Sequence, residues 1–306
     1  MSGLRQALSN YLSLRRSLGY GLERYEKLLL QFIDYLETVG GPTITTEHAL
    51  AWACQPKNTS KVWWARRLSA VRGFTNYLRA QDSTVEVVPP DVLPYRSNRA
   101  CPYLYRDREI AALLEAAGTL YGPLHVATYQ TLIGLLAVTG MRVGEAIGLD
   151  LQDFDASNGV LVIRHAKFNK TREVPLHLST VAALRRYVVR ARRQRSATGT
   201  AALLVSNVGT RLIYSNVHRT FAGLARHTGL VARTTRCRPR IHDLRHTFAV
   251  NTLLDAHRDG ADVHERLTVL STYLGHVNPS DTYWYLSAAP ELLAQVADRL
   301  EFGARP

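Results

Sequence analysis

A proline-rich break divides this chain of 306 residues into two unequal parts. Between residues 82 and 102 the apolar periodicity fails, and the segment VVPPDVLPYRSNRACP carries Pro89, Pro90, Pro94 and Pro102. Proline fixes φ and removes a backbone donor, so a run of this kind ends helices and cannot form an inner strand. The break predicts a first domain over residues 1–88, a linker over 89–102 and a second domain over 103–306, a length that two ordinary domains accommodate.

Each side has its own pattern. Leu28, Leu29, Phe32, Ile33 and Leu36 recur at helical spacing after a break at Gly19–Gly21. Val62, Trp63, Leu68, Val71, Phe74 and Leu78 form a second such stretch, with Asn58, Thr59 and Ser60 as candidate caps. Its other positions carry Lys61, Arg66, Arg67, Arg72 and Arg79. With Trp63 and Trp64 interleaved, they suit a helix laid against DNA, although a basic stripe is more commonly a solvated face.

Beyond the break, helices are predicted over Asp107–Ala117, His125–Thr139 and around Arg142–Leu149. A β-like block follows: Leu151–Asp155, a turn at Ser157-Asn158-Gly159, Val160–His165, a second turn, and Arg172–His177. Asn-Gly is a strong hairpin signal. Helices return from Thr180 to the end, and the segment Arg185–Arg195, with six arginines, predicts a solvated or phosphate-facing surface. The fold class is mainly α with a small antiparallel β-sheet.

Charge narrows the partner. The chain has 38 Lys and Arg against 25 Asp and Glu, a net charge of +13, and both parts are positive. Such a surplus favours a polyanion, of which nucleic acid is the commonest. The longest apolar stretch, Leu132–Val138, is far shorter than the roughly 20 residues that span a bilayer, so no membrane partner is expected. The N-terminus MSGLRQALSNYLSLRR lacks an apolar core followed by a small-residue cleavage site, and a cytoplasmic location is expected. Cys54, Cys101 and Cys237 are odd in number and scattered, unlike a disulfide framework or a metal-ligand pattern.

Three segments could carry chemistry: TGMRVGEAIGL (139–149), IHDLRHTF (241–248) and YLGHVNPSDTYWYL (273–286). Singly each is unremarkable, since an Arg after a Gly is usually a surface residue and His-x-x-Arg recurs by chance. In order they offer Arg142, a Lys-bearing hairpin, His242 with Arg245, His276, and Tyr285 nine residues later.

That order resembles the tyrosine recombinase (phage integrase, Xer-like) family. The matching residues are Thr139-Gly140-Met141-Arg142 with Glu145, then His242-Asp243-Leu244-Arg245, then Leu274-Gly275-His276, and finally Tyr285. Motifs cover residues 107 to 300. The resemblance implies a helical core-binding (SAM-like) DNA-binding domain followed by a mixed α+β catalytic domain, the two closing on duplex DNA. It implies a site-specific recombinase that cleaves and rejoins strands through a 3′-phosphotyrosyl link, without cofactor, metal or ATP. Double-stranded DNA with specific sites is the implied partner, bound by a dimer at each site and a tetramer in synapsis, with accessory proteins or a second recombinase in some systems. A type IB topoisomerase, which rejoins the same strand, and an inactive DNA-binding relative are the alternatives.

The implied chemistry agrees with the residue types. Cutting a phosphodiester without metal requires cations against the non-bridging oxygens, and a guanidinium offers a permanent charge on a planar fork. Arg142 and Arg245 take this role, with His276 as a further donor and His242 as an acid–base helper. Tyr285 is the nucleophile, and its phenol needs neighbouring cations to ionise below its ordinary pKa of about 10. The lysine that protonates the leaving oxygen is Lys167 when the Val174-Pro175-Leu176 end anchors the hairpin. Phe168 stands where the family often has Gly, and Lys170 is a second candidate. Tyr283, two residues from Tyr285, would face elsewhere on a helix. Glu145 and Asp243 read as orienting partners of the cationic motif residues.

Overall fold

Helix α2 (Glu23–Thr38) buries Leu28, Leu29, Phe32, Ile33 and Leu36, the five positions that set its apolar period. The computed structural model describes residues 2–41, 43–93, 101–166 and 170–275. Chain contacts divide the molecule into two compact units, residues 1–99 and 100–306.

In the first unit α1 (Ser2–Ser17) and α2 are separated by Gly19 at φ 84° and Leu22 at φ 41°. Helix α3 (Thr46–Cys54) is capped by Thr45, whose hydroxyl accepts from the His48 N–H, and α4 (Lys61–Arg79) by Ser60, which accepts from Trp63 N–H. Phe32, Trp52, Leu68, Val71 and Phe74 meet in one core.

That core also absorbs part of the proline-rich stretch. Val88 is fully buried and Val92 and Leu93 pack beside it, while the Pro89 carbonyl accepts a bond from Arg72 Nη1 at 3.2 Å. On the other side, the Cys101 carbonyl accepts from Arg240 Nη2 and the Pro102 carbonyl from the Cys237 thiol. Both flanks of the expected linker of 89–102 are thus held by their own unit, Val88, Val92 and Leu93 through apolar packing and Cys101 and Pro102 through their carbonyls.

One expectation about α4 is overturned. Arg67 is 7% exposed; its guanidinium lies 3.7 Å over the Trp52 ring and donates to the Trp52 carbonyl at 2.8 Å. It is a core tie and leaves the basic stripe. Lys61, Arg66 and Arg79 remain exposed. The tryptophans are also engaged internally, Trp63 under the Arg24 guanidinium and Trp64 through a bond to the Pro56 carbonyl.

The second unit opens with α5 (Asp107–Ala117), whose Glu109 accepts from the Arg106 N–H at 2.7 Å. Pro123 sits in the first turn of α6 (Pro123–Thr139), and this helix is apolar all round and central, with Leu132, Ile133 and Leu136 fully enclosed. Short α7 (Val143–Gly148) leads to β1 (Phe154–Asp155), β2 (Val160–Ala166) and β3 (Lys170–Pro175), an antiparallel sheet in that order. Residues Leu151–Asp153, expected in the first strand, form a 3-10 turn instead, closed by the Asp153 carboxylate accepting from the Asp150 N–H. Gly159 takes φ 66° in the predicted turn, and Asp155 accepts from the Ser157 and Asn158 amides.

Register puts Leu161 opposite Val174 and Ile163 opposite Arg172, so that Leu161, Ile163 and Val174 share the core face. Helices α8 (Leu178–Thr198), α9 (Tyr214–His227), α10 (Asp243–Arg258) and α11 (Val263–Leu274) complete the described residues. Within the Arg-rich segment, Arg195 is 7% exposed and donates to the Ala202 and Leu203 carbonyls. It is a buried tie, while Arg185, Arg186, Arg190 and Arg192 stay exposed.

Candidate active site

Helix α6 stops at Gly140, which sits at φ 60° in the left-handed region that favours glycine. A Cβ there would lie 2.3 Å from Phe248 Cδ1. Close approach of α10 to this turn is therefore possible only with glycine, and it brings Arg245, one turn earlier on α10, against the same backbone. Arg245 is 2% exposed. Its Nη1 donates to the Gly140 carbonyl at 2.9 Å and its Nη2 to the Leu274 carbonyl at 2.8 Å. One guanidinium thus joins the turn at Gly140, the HDLR helix and the end of α11, bridging 105 residues on one side and 29 on the other.

Arg142 makes a second connection. Its Nη2 donates to the Gly275 carbonyl at 3.2 Å, its Nη1 to Glu145 Oε1 at 2.8 Å, and its backbone N–H to Glu145 Oε2 at 2.8 Å. With 30% of its side chain exposed, Arg142 lines a cleft of about 640 Å³ together with Glu145, Arg164, Tyr214 and His242. The His242 ring opens onto this cleft. His242 is exposed at the cleft mouth, yet partial desolvation, followed by the charges of Arg245, Arg142 and Arg240, brings its pKa down to about 4. It is a neutral imidazole near pH 7, able to accept a proton, and an entering phosphate would offset the cations that hold it neutral.

Glu145 is the hub. Arg172 on β3 reaches it with two parallel bonds, Nη1 to Oε1 at 3.0 Å and Nη2 to Oε2 at 2.7 Å. Burial pushes the Glu145 carboxyl up, but the bonds from Arg172 and the Arg142 amide, with both guanidinium charges, outweigh it and hold the pKa down to about 2. A carboxyl depressed from its ordinary 4.5 contributes stability above pH 4.5, and that contribution is lost as pH falls toward 2. The contribution is about 3 kcal/mol. The stability difference between the wild-type chain and Glu145→Gln, from melts at successive pH values, should be constant from pH 7 to 5 and shrink below 4.5; a difference unchanged at pH 3 would contradict this ion network.

Asp243, expected to orient a neighbouring motif cation, is fully buried and is held by Arg240 through two bonds of 3.0 and 2.9 Å. Arg240 precedes the motif, while His246 within it lies 3.9 Å from Asp243 Oδ1. Arg172 and Arg240 were missed as site residues. For Arg172 a signal existed: strand alternation places it on the inward face with Val174, an unusual position for an arginine without a carboxylate partner. Lys167, His276, Tyr283, Tyr285 and the rest of the helical stretch expected beyond residue 275 lie outside the described residues. Lys170 begins β3, paired with Ala166 of β2.

Residues 104–291 match the model of the phage integrase family. The chain belongs to that family. These tyrosine recombinases are enzymes that cleave and rejoin DNA, and so is this chain. An integrase/recombinase-named protein of Sinorhizobium fredii is 45% identical over 310 residues, covering 98% of each chain. Tyrosine recombinase XerD of Mycobacterium tuberculosis is 33% identical over 242 residues, 78% of this chain and 73% of that one. In fold, the recombinase resembles XerH bound to palindromic difH substrate in a post-cleavage complex (TM-score 0.63, 19% identity, 92% of this chain and 80% of that one). It also resembles a lambda integrase tetramer bound to a Holliday junction (TM-score 0.55, 17% identity, 92% and 76%). No helix among the described residues is long and apolar enough to cross a membrane.

Proposed function

We propose that this recombinase cuts duplex DNA at a specific site with Tyr285 and passes the strand to a partner duplex. The observation that best supports the reading is the joining of the three motif segments by Arg245 and Arg142, through Gly140, Leu274 and Gly275. Arg142 and Arg245 would neutralise the non-bridging oxygens as phosphorus becomes five-coordinate, with His276 as a further donor. His242, neutral at working pH, would take the phenolic proton. The Tyr285 oxygen forms the bond to phosphorus while the bond to the 5′ oxygen breaks, and that oxygen receives its proton from Lys167 or Lys170. The products are a 3′-phosphotyrosyl link and a free 5′ hydroxyl. Attack by the partner's 5′ hydroxyl reverses the step on a new strand, and the energy stored in the covalent link makes ATP unnecessary.

Two copies of this chain would occupy each site and four would join two duplexes, with residues 1–99 as the second DNA-binding unit. Acting on DNA, the protein would reside in the cytoplasm. Trapping on nicked, labelled DNA tests the reading. Covalent adduct should form in excess EDTA, because guanidiniums take the place of a metal, and two-site substrates should yield exchanged products. Adduct formation that needs added Mg²⁺ would overturn the metal-free chemistry. Relaxation of supercoils without any exchanged strand would mark a topoisomerase, and binding with no adduct an inactive relative.

A further inference from the structure

We propose that Arg172 is a positioning residue for cleavage: it shares the carboxylate of Glu145 with Arg142, and so sets the direction and effective charge of the guanidinium that meets the phosphate. The inference rests on the reading that Arg142 contacts the scissile phosphate. Arg172 is 14% exposed at its side chain and Glu145 8%, so the pair is screened little by solvent.

The charge arithmetic is simple. Arg142, Glu145 and Arg172 together carry one net positive charge beside the cleft. Without Arg172 the carboxylate would pair with Arg142 alone, and the two charges would nearly cancel where the phosphate enters. Both oxygens of Glu145 accept from Arg172 as well as from Arg142. This fixes the carboxylate plane, and with it the Arg142 fork. Lysine supplies the charge at this place without the two parallel bonds.

Arg172 also touches the turn before His276. Gly275, at φ 67°, would carry a Cβ only 3.0 Å from Arg172 Nη1 and 3.3 Å from its Cζ. The same glycine's carbonyl accepts from Arg142 Nη2. Arg172 therefore lies against Gly275 while holding, through Glu145, the arginine that bonds Gly275. It is the third residue of β3. Strand β3, Glu145 of α7 and Gly275 meet at this one side chain.

Single-turnover adduct formation by the full chain at saturating DNA tests the role, with Arg172→Lys and Arg172→Ala compared on three suicide substrates. On the native phosphate both variants should be slower by about 10- to 100-fold with unchanged DNA affinity. On a methylphosphonate at the scissile position, which lacks the charge that Arg142 offsets, each variant should come within a few-fold of wild type. A bridging 5′ sulphur, which leaves without a proton, should restore little. The proposal is overturned by equal slowing on all three substrates, the mark of a structural tie, by rescue on the sulphur substrate alone, which would place Arg172 with the lysine, or by wild-type rates on native phosphate. Observed rate constants do not depend on the fraction of folded protein, so a poorly folding Arg172→Ala remains informative beside Arg172→Lys. An Arg142→Ala control separates the two readings. Unimpaired Arg142→Ala removes the reading of Arg142 at the phosphate; Arg142→Ala rescued by methylphosphonate, with the Arg172 variants not rescued, removes only this inference.

Discussion

Replacing Tyr285 by phenylalanine should eliminate the covalent protein–DNA adduct while leaving DNA affinity within a few-fold of wild type. Only the attacking oxygen is lost, so binding through basic side chains is untouched, and removal of a nucleophile in a concerted site costs more than roughly 10⁴-fold. The assignment rests on the nine-residue step from His276. Tyr283→Phe should retain adduct formation, since residues two apart on a helix point in different directions. Denaturing gels of protein bound to a nicked, labelled site read both outcomes directly. Adduct retained by Tyr285→Phe and lost in Tyr283→Phe would transfer the role to the neighbouring tyrosine.

Arg245→Ala should damage both folding and chemistry. Its guanidinium is 2% exposed and supplies the donors to the Gly140 and Leu274 carbonyls. Each carbonyl left without its charged donor costs about 1–3 kcal/mol, so the melting temperature of the second unit should fall by roughly 5–15 °C. Cleavage should slow by about 10²–10³-fold as one preorganised donor is withdrawn from the phosphate. Arg245→Lys, keeping the charge but lacking a fork, should fall between the two in both properties. Thermal melts and adduct rates measured on the same samples check the pairing of effects; a variant that melts like wild type would show that Gly140 and Leu274 do not depend on Arg245.

Much of this was legible along the chain. The apolar period of α2 marked its buried face, Asp107–Ala117 was bounded by residue type alone, and Asn158-Gly159 announced the hairpin. Local propensity and period act over a few residues, so they survive translation into sequence. The segment around Arg142 was legible for a similar reason, since its supports are local: Gly140 for a left-handed turn, Glu145 one helical turn beyond Arg142.

What escaped was long-range. Arg67 and Arg195 looked like members of basic surfaces and are instead buried ties to Trp52 and to the Ala202 and Leu203 carbonyls. A guanidinium on a helix has the same local pattern whether it meets water or a carbonyl from another segment. Arg172 was passed over because Glu145, the carboxylate that its inward strand position calls for, lies 27 residues away in sequence, and Arg240 because it stands just outside the motif that holds Asp243. Val88, Val92 and Leu93 were read with the prolines around them, although a nearby core was available to bury them. Sequence alone determined the mainly helical class with its small antiparallel sheet, most of the element types and the motif segments whose side chains carry the proposed chemistry, because these follow from short-range stereochemistry and from the chemistry of side chains. Only the tertiary structure decided which of the many arginines are charges offered to DNA and which hold backbone carbonyls together, because that choice depends on solvation and on partners brought near by packing.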